Sequence, residues 1–117
     1  MSKNVIVNKS FDFAVRIVKL NKYLNKNKDE YVLSKQLLRC GTSIGATVAE
    51  AQQAQSRADF LSKINIALKE STETRYWLKL LFKTDYITAE QYESVEGDLK
   101  EIIGLLTTIC KTTKNKM

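Results

Sequence analysis

The first residues whose type and spacing could indicate a binding site are two glycines in residues 39–51, RCGTSIGATVAEA. Glycines can form a phosphate-binding loop when they follow a strand and open a helix, often with a lysine and a hydroxyl next in sequence. That context is missing here. Gly41, Gly45 and Ala49 are instead spaced by four residues, which places them along one side of a continuous helix. This spacing favours a close contact between two helices, with a ligand loop as the alternative.

A close contact would also explain why glycine is tolerated in a helix. Each glycine costs a helix about 1 kcal/mol relative to alanine, so packing should compensate. The next predicted helix carries a row of small residues on its core face, namely Ala67, Ser71 and Thr74. We expect the two rows to face each other, because small side chains let helix axes approach and gain dispersion contacts.

Groups suited to catalysis are scarce. The chain has no histidine, which removes the commonest general base and the commonest metal ligand. Cys40 and Cys110 lie far apart in apolar helical patterns and are expected to be reduced core thiols of a cytoplasmic protein. We therefore predict a protein that is not an enzyme and has no metal site and no cofactor.

Four charged residues fall in the middles of the second and third predicted helices, where charges are costly unless they are paired. They are Arg39, Glu50, Glu70 and Arg75. We expect some of them to form ion pairs between helices or between subunits. The alternative is an active site built from the carboxylates of Glu50 and Glu70.

Positive charge is the clearest chemical feature of the chain, whose formal net charge is +6. One face of the first helix and the C-terminal tail carry the candidate nucleic-acid-binding residues, which are Lys9, Arg16, Lys19, Lys22, Lys26, Lys111, Lys114 and Lys116. Such a surface would attract RNA or DNA phosphates without reading sequence, and its affinity would fall steeply with salt. A basic stripe that is only a solvated face is the alternative.

The elements that position these residues are helices. The 117 residues include no proline and four glycines, so signals for strands and long linkers are few. Apolar residues spaced by three and four predict helices over 10–27, 30–54, 56–83 and 88–112. Ser10, Ser56 and Thr88 are the predicted N-caps, the last two in capping boxes with Asp59 and Gln91.

Short connections between these helices predict an all-α, antiparallel up-and-down four-helix bundle, with residues 1–117 forming a single domain. The lysine-rich ends, 1–9 and 111–117, are expected to fray. No apolar run reaches the roughly 18 to 20 residues of a membrane span, and the first residues have no signal-peptide core. We therefore expect a cytoplasmic protein with no membrane association.

The glycine stretch and the helix that follows it also carry a family resemblance. The chain resembles, from Phe11 to Ile109, the small bacterial four-helix-bundle proteins encoded in intervening sequences of 23S ribosomal RNA genes. The residues that carry this resemblance are 36–39 (QLLR), 41–46 (GTSIGA), 48–51 (VAEA), 56–57 (SR), 59–60 (DF), 66–67 (IA), 69–70 (KE) and 73–78 (ETRYWL). Thr47 departs from the asparagine that is usual before the VAEA run.

The resemblance implies an up-and-down bundle that assembles as a homopentameric ring and has no established enzymatic activity. The family is also similar to the accessory variability determinant of diversity-generating retroelements, a basic pentamer that binds nucleic acid and a reverse transcriptase. RNA or DNA, a protein partner and further copies of the same chain are therefore the expected partners.

Apolar residues outside the predicted bundle seam point independently to self-association. The candidate oligomer-interface residues are Phe11, Val18, Ile66, Tyr76, Trp77 and Leu80. Neighbouring helices and residues 5–7 could instead cover them within one chain. The leading hypothesis is an oligomeric nucleic-acid-binding protein, and the alternative is a protein-interaction scaffold or accessory subunit with no direct nucleic-acid role.

Overall fold

The computed structural model describes residues 2–117, with side chains from Val5 onward. This part of the chain forms four helices: α1 (Ser2–Lys28), α2 (Leu33–Ala51), α3 (Arg57–Lys83) and α4 (Ala89–Asn115). Consecutive helices pack against each other and α4 closes back on α1, whereas the diagonal pairs α1–α3 and α2–α4 make no close backbone contact within the described chain. The bundle measures 47 × 22 × 21 Å. The predicted antiparallel up-and-down four-helix bundle is confirmed.

Helix α1 begins two turns earlier than the sequence suggested, so the prediction that Ser10 is an N-cap is wrong. Ser10 is fully buried inside α1, and its hydroxyl donates a hydrogen bond to the Ile6 carbonyl at 2.7 Å. The apolar spacing explains the difference, because Ile6 is a core residue that extends the seam of Phe13 and Ile17 through Ser10. Residues 2–9 are therefore helical, and Met1 lies outside the described residues.

Helix α4 also runs further than expected, to Asn115, because buried Cys110 and Thr113 continue its core face. At its other end, Thr88 and Gln91 form the predicted capping box, with each side chain accepting a hydrogen bond from the backbone N–H of the other. The tail that was expected to fray is therefore helical over most of its length.

The start of α2 differs from the prediction because Glu30 caps the helix instead of belonging to it. The Glu30 carboxylate accepts hydrogen bonds from the backbone N–H groups of three successive residues, Val32, Leu33 and Ser34, at 3.1, 3.0 and 2.7 Å. Asp29, just before it, has a left-handed φ of 52°. A carboxylate at a helix N-terminus satisfies unpaired donors and interacts favourably with the helix dipole.

The predicted cap of α3 is present in part. The Ser56 hydroxyl accepts a hydrogen bond from the Asp59 N–H at 3.0 Å, as expected. The Asp59 carboxylate, however, accepts from the Gln55 N–H at 3.2 Å, one residue earlier than in a full capping box. Helix α2 ends at Ala51, three residues before the expected end, and residues 52–56 connect it to α3.

The core lies along the bundle axis and is formed by the apolar side chains that recur every three or four residues along each helix. Its largest fully buried members are Phe13, Ile17, Leu24, Leu37, Ile44, Val48, Ile64, Leu78, Leu81, Leu99, Ile102 and Leu106. Burial of each such side chain contributes roughly 1.5 to 3 kcal/mol to stability. Helices α1 and α4 pack together least among the adjacent pairs, so charged side chains line much of their boundary.

Candidate nucleic-acid interface

The glycines of α2 lie where two helices approach most closely, but the partner is α1 and not α3. A Cβ atom added at Gly45 would lie 2.9 Å from the Ser10 carbonyl oxygen, and one added at Gly41 would lie 2.9 Å from two side-chain carbons of Ile17. The expectation that these glycines face helix three is therefore wrong. The physical reason is helical geometry, since Gly41 and Gly45 lie on the flank of α2 that faces α1, while Cys40 lies toward α3.

The remaining members of the predicted small-residue contact are divided between core and surface. Ala67, Ser71 and Thr74 are fully buried in α3, whereas Ala49 is exposed on α2. The two hydroxyls each donate to a carbonyl four residues earlier in α3, at 2.8 and 2.7 Å. Burial raises the pKa of the Cys40 thiol, which contacts Thr74. This part of the bundle is a packed interior and has no loop that could hold phosphate.

Two of the predicted ion-pair residues, Arg39 and Glu70, lie in a charged cluster between α2 and α3. The Arg39 guanidinium lies 3.8 Å from the Glu70 carboxylate and also pairs with Glu73. Glu73 accepts a further hydrogen bond from the indole N–H of Trp77 at 3.0 Å. Because the cluster is half-exposed, it contributes little to stability.

The other two predicted ion-pair residues do not join that cluster. Arg75 pairs with Glu96 of α4 at 2.8 Å, and Glu50 is exposed with no ion-pair partner among residues 5–117. Arg39 lies opposite Glu70 in antiparallel helices, so Glu50, about three turns further along α2, lies roughly 16 Å from that level. The structure therefore does not bring Glu50 and Glu70 together as a pair of catalytic carboxylates.

Neither described cavity contains a set of groups suited to catalysis or metal binding. One, of about 380 Å³, is mainly apolar and is lined by Ile6, Phe60, Leu105 and Ile109 together with glutamine and threonine side chains. The other, of about 270 Å³, lies between α1 and α4 among charged residues that already pair with each other. Within the described chain, no three His, Cys, Asp or Glu side chains are grouped as metal ligands.

Two of the candidate nucleic-acid-binding residues are neutralised by α4. Lys9 pairs with Glu101 at 2.6 Å, and the hydrogen bond to that carboxylate raises the pKa of Lys9. Arg16 pairs with Asp98 at 2.7 Å and also donates to the Ser94 carbonyl at 3.1 Å. Both cations therefore join the two helices, and less of their charge is available to a phosphate.

The other α1 candidates are free of such pairs. Lys19, Lys22 and Lys26 are exposed, and within residues 5–117 none lies within 4.0 Å of a carboxylate. We call these three residues the α1 lysine cluster. Their side chains provide positive charge on the half of α1 that leads into the α1–α2 loop.

The C-terminal candidates, Lys111, Lys114 and Lys116, are also exposed but lie at the opposite end of the bundle. The pairs Lys9–Glu101 and Arg16–Asp98 show that α1 and α4 are antiparallel, so the end of α4 lies beside the start of α1. We call these residues the tail lysine cluster. The two basic regions, which the sequence analysis treated as one candidate site, therefore lie toward opposite ends of a bundle that is 47 Å long.

Three residues at the α1–α2 end belong to the basic region but were missed by sequence reasoning. Lys28 and Lys35 are exposed on either side of the loop, and Tyr31 is exposed within it. The Asn21 side chain donates to the Ser34 carbonyl at 3.2 Å, which brings the last turns of α1 beside the first turn of α2. The sequence signal that could have identified these residues is a tyrosine that lies between lysines near a predicted helix boundary.

The candidate oligomer-interface residues remain partly or largely exposed on two sides of the bundle. Phe11 and Val18 of α1 are exposed, together with Val15, which sequence reasoning missed. Ile66 and Tyr76 of α3 are also exposed, whereas Trp77 and Leu80 are half-buried. Since α1 and α3 are diagonal partners, the two apolar surfaces face different directions.

These features define an all-α up-and-down bundle whose distinctive groups are on its surface. The sequence matches the family of 23S rRNA-intervening sequence proteins over residues 2–108, and the chain belongs to that family. It is also similar to a crystal structure from Bacteroides thetaiotaomicron VPI-5482, a protein of unknown function from the S23 ribosomal protein family. The two are 60% identical with a TM-score of 0.93, over 95% of this chain and 99% of that one.

A comparison with curated proteins found no significant match. The family and the solved structure carry no enzymatic name. None of the helices in the described chain is long and apolar enough to cross a membrane.

Proposed function

We propose that this protein is a non-enzymatic homopentamer that binds RNA or DNA through the α1 lysine cluster without strong sequence specificity. The observation that carries the proposal is the contrast along α1, where Lys9 and Arg16 pair with α4 but Lys19, Lys22 and Lys26 have no acidic partner in the described chain. Exposed lysines without an acidic partner attract phosphates but do not by themselves distinguish one base sequence from another.

Oligomerisation would strengthen binding at this site. Phe11 and Tyr76 are 66% and 61% exposed, and large exposed apolar side chains commonly mark an interface. A ring would repeat the α1 lysine cluster once per subunit, so that one strand could contact several copies. Linked sites raise overall affinity without any new type of contact.

The test is the salt dependence of RNA binding by three proteins. We expect wild type to bind a mixed RNA at low salt and to release it as salt rises. Replacing Lys19, Lys22 and Lys26 by alanine should weaken binding and lower the slope of log affinity against log salt by about 2 per contacting protomer for a single strand. The matched control replaces the tail lysine cluster by alanine, which removes the same charge at the other end of the bundle.

The results separate the alternatives. Equal losses in the two triple variants would mean that net charge matters and the α1 site does not. Absence of binding by wild type at low salt would refute the proposal. Light scattering on the same samples measures the number of subunits, and a monomer would refute the oligomeric part of the proposal.

A second candidate function is a protein-interaction scaffold or accessory subunit with no direct nucleic-acid role. The exposed Phe11 and Tyr76 favour it, because neither surface is covered in a single chain. A pull-down after nuclease treatment tests this function. A partner that Phe11→Ala or Tyr76→Ala releases would support it, whereas a partner lost on nuclease treatment would indicate bridging by nucleic acid.

A further inference from the structure

The α1–α2 loop presents two adjacent large side chains to solvent. Tyr31 is 58% exposed and Val32 is 72% exposed. The Tyr31 hydroxyl reaches Asp29 only at 3.5 Å, so the ring is held by no strong hydrogen bond. More than half of the Tyr31 surface is therefore open to solvent.

The backbone beneath this ring is firmly held. The Glu30 carboxylate accepts three backbone hydrogen bonds from the start of α2, and the Glu30 N–H donates to the Leu24 carbonyl at 3.0 Å. The Ser34 hydroxyl donates to the Asn25 side chain at 3.0 Å. A loop anchored in this way loses little conformational entropy when a ligand binds to it.

The charge around the ring suits a polyanion. Lys26 and Lys28 precede the loop, and Lys35 follows it on the first turn of α2. All three are exposed and have no ion-pair partner in the described chain, while Asp29 is the exposed acid among them. The basic groups therefore outnumber the acid at this loop.

We infer that Tyr31 is a stacking residue for an unpaired base, and that the α1–α2 loop gives the protein a preference for single-stranded nucleic acid over duplex. This inference rests on the proposed nucleic-acid function and names its substrate class. Exposed aromatic rings beside lysines bind single strands by stacking on bases while the cations contact phosphates. Bases of a duplex are stacked on each other and cannot reach such a ring.

Val32 provides an internal comparison. It lies next to Tyr31 in the same loop and is 72% exposed, but it has no aromatic ring and cannot stack on a base. The two residues therefore separate a stacking role from general loss of an exposed apolar side chain in this loop.

The experiment measures affinity for a labelled oligouridine of about ten nucleotides, within the range of site sizes of single-strand binders, and for an RNA duplex of the same length. Tyr31→Ala should weaken single-strand binding by about 5- to 100-fold and leave duplex binding and the salt slope unchanged. Tyr31→Phe should stay within about twofold of wild type, because the ring is kept. Val32→Ala is the matched control and should have no effect.

Each outcome is informative. If wild type binds neither oligonucleotide at low salt, the proposed function and this inference both fail. If wild type binds both with steep salt dependence and Tyr31→Ala binds as Val32→Ala does, the lysine-based function stands and the stacking role is refuted. A change in solution mass caused by Tyr31→Ala would show that the loop contacts another copy of the chain, which also overturns the inference.

Discussion

Replacing Gly45 by alanine adds one methyl group where α1 and α2 approach most closely. The new Cβ would lie 2.9 Å from the Ser10 carbonyl oxygen and 3.2 Å from its carbonyl carbon. Ordinary van der Waals contacts of a Cβ begin near 3.4 Å, so the two helices must separate by several tenths of an ångström. Backbone atoms cannot rotate away as the end of a side chain can, and the strain therefore spreads along the interface.

The magnitude follows from two opposing terms. Alanine is favoured over glycine in a helix by about 1 kcal/mol. Overpacking of a tight interior contact costs about 1 to 3 kcal/mol, and a backbone clash belongs at the upper end of that range. We therefore expect Gly45→Ala to lower the free energy of unfolding by about 1 to 2 kcal/mol.

The assay is urea unfolding followed by circular dichroism at one fixed protein concentration, because self-association would make stability depend on concentration. Gly97→Ala and Gly104→Ala are matched controls on α4, since an added Cβ at either position meets nothing within 4 Å. Both should raise the free energy of unfolding by about 0.5 to 1 kcal/mol. If Gly45→Ala were as stabilising as the α4 variants, the close approach of α1 and α2 would be refuted.

Three further predictions concern a buried thiol, a helix cap and a half-exposed ion pair. Burial raises the pKa of the Cys40 thiol, so the unfolded chain loses the thiol proton at a lower pH than the folded chain, and the free energy of unfolding should fall as pH rises above about 9. In Cys40→Ala the free energy of unfolding should depend less on pH in that range, and an unchanged slope would contradict the prediction. Glu30→Ala removes three hydrogen bonds at the start of α2 and should cost about 1 to 2 kcal/mol in urea unfolding, whereas a neutral effect would show that water caps the helix equally well. Glu73→Ala should shift the fluorescence of Trp77, the one tryptophan, yet change stability by less than about 1 kcal/mol, because the Arg39 pair is half-exposed; an unshifted spectrum would argue against the indole hydrogen bond.

The fold could be predicted because its signals are local. The spacing of apolar residues by three and four predicted which side chains are buried in all four helices, from Phe13 and Ile17 to Leu99 and Ile102. The Thr88 cap was equally readable, since a capping box depends on residues three positions apart. Ser10 misled the prediction because a serine inside a helix and a serine at its start look alike until the core position is known.

The candidate site could be predicted only in part, because charge at a surface depends on what packs beside it. The sequence places Lys9 and Lys19 in one stripe, but α4 brings Glu101 to Lys9 and brings no acid to Lys19. Likewise, the sequence indicates that Gly45 lies in a close contact but cannot say with which helix. Helical periodicity fixes the direction of a side chain relative to its own axis, and the neighbour in that direction is set by how the helices are arranged.

The sequence by itself therefore determined four amphipathic helices, their antiparallel order and a positively charged chain with few groups suited to catalysis. Tertiary structure alone decided that Gly41 and Gly45 face α1, that α4 supplies acidic partners to Lys9 and Arg16, and that Tyr31 is exposed. The physical reason is the range of the interactions. Periodicity and capping act within a few residues, whereas ion pairing and close packing join residues that are distant in sequence.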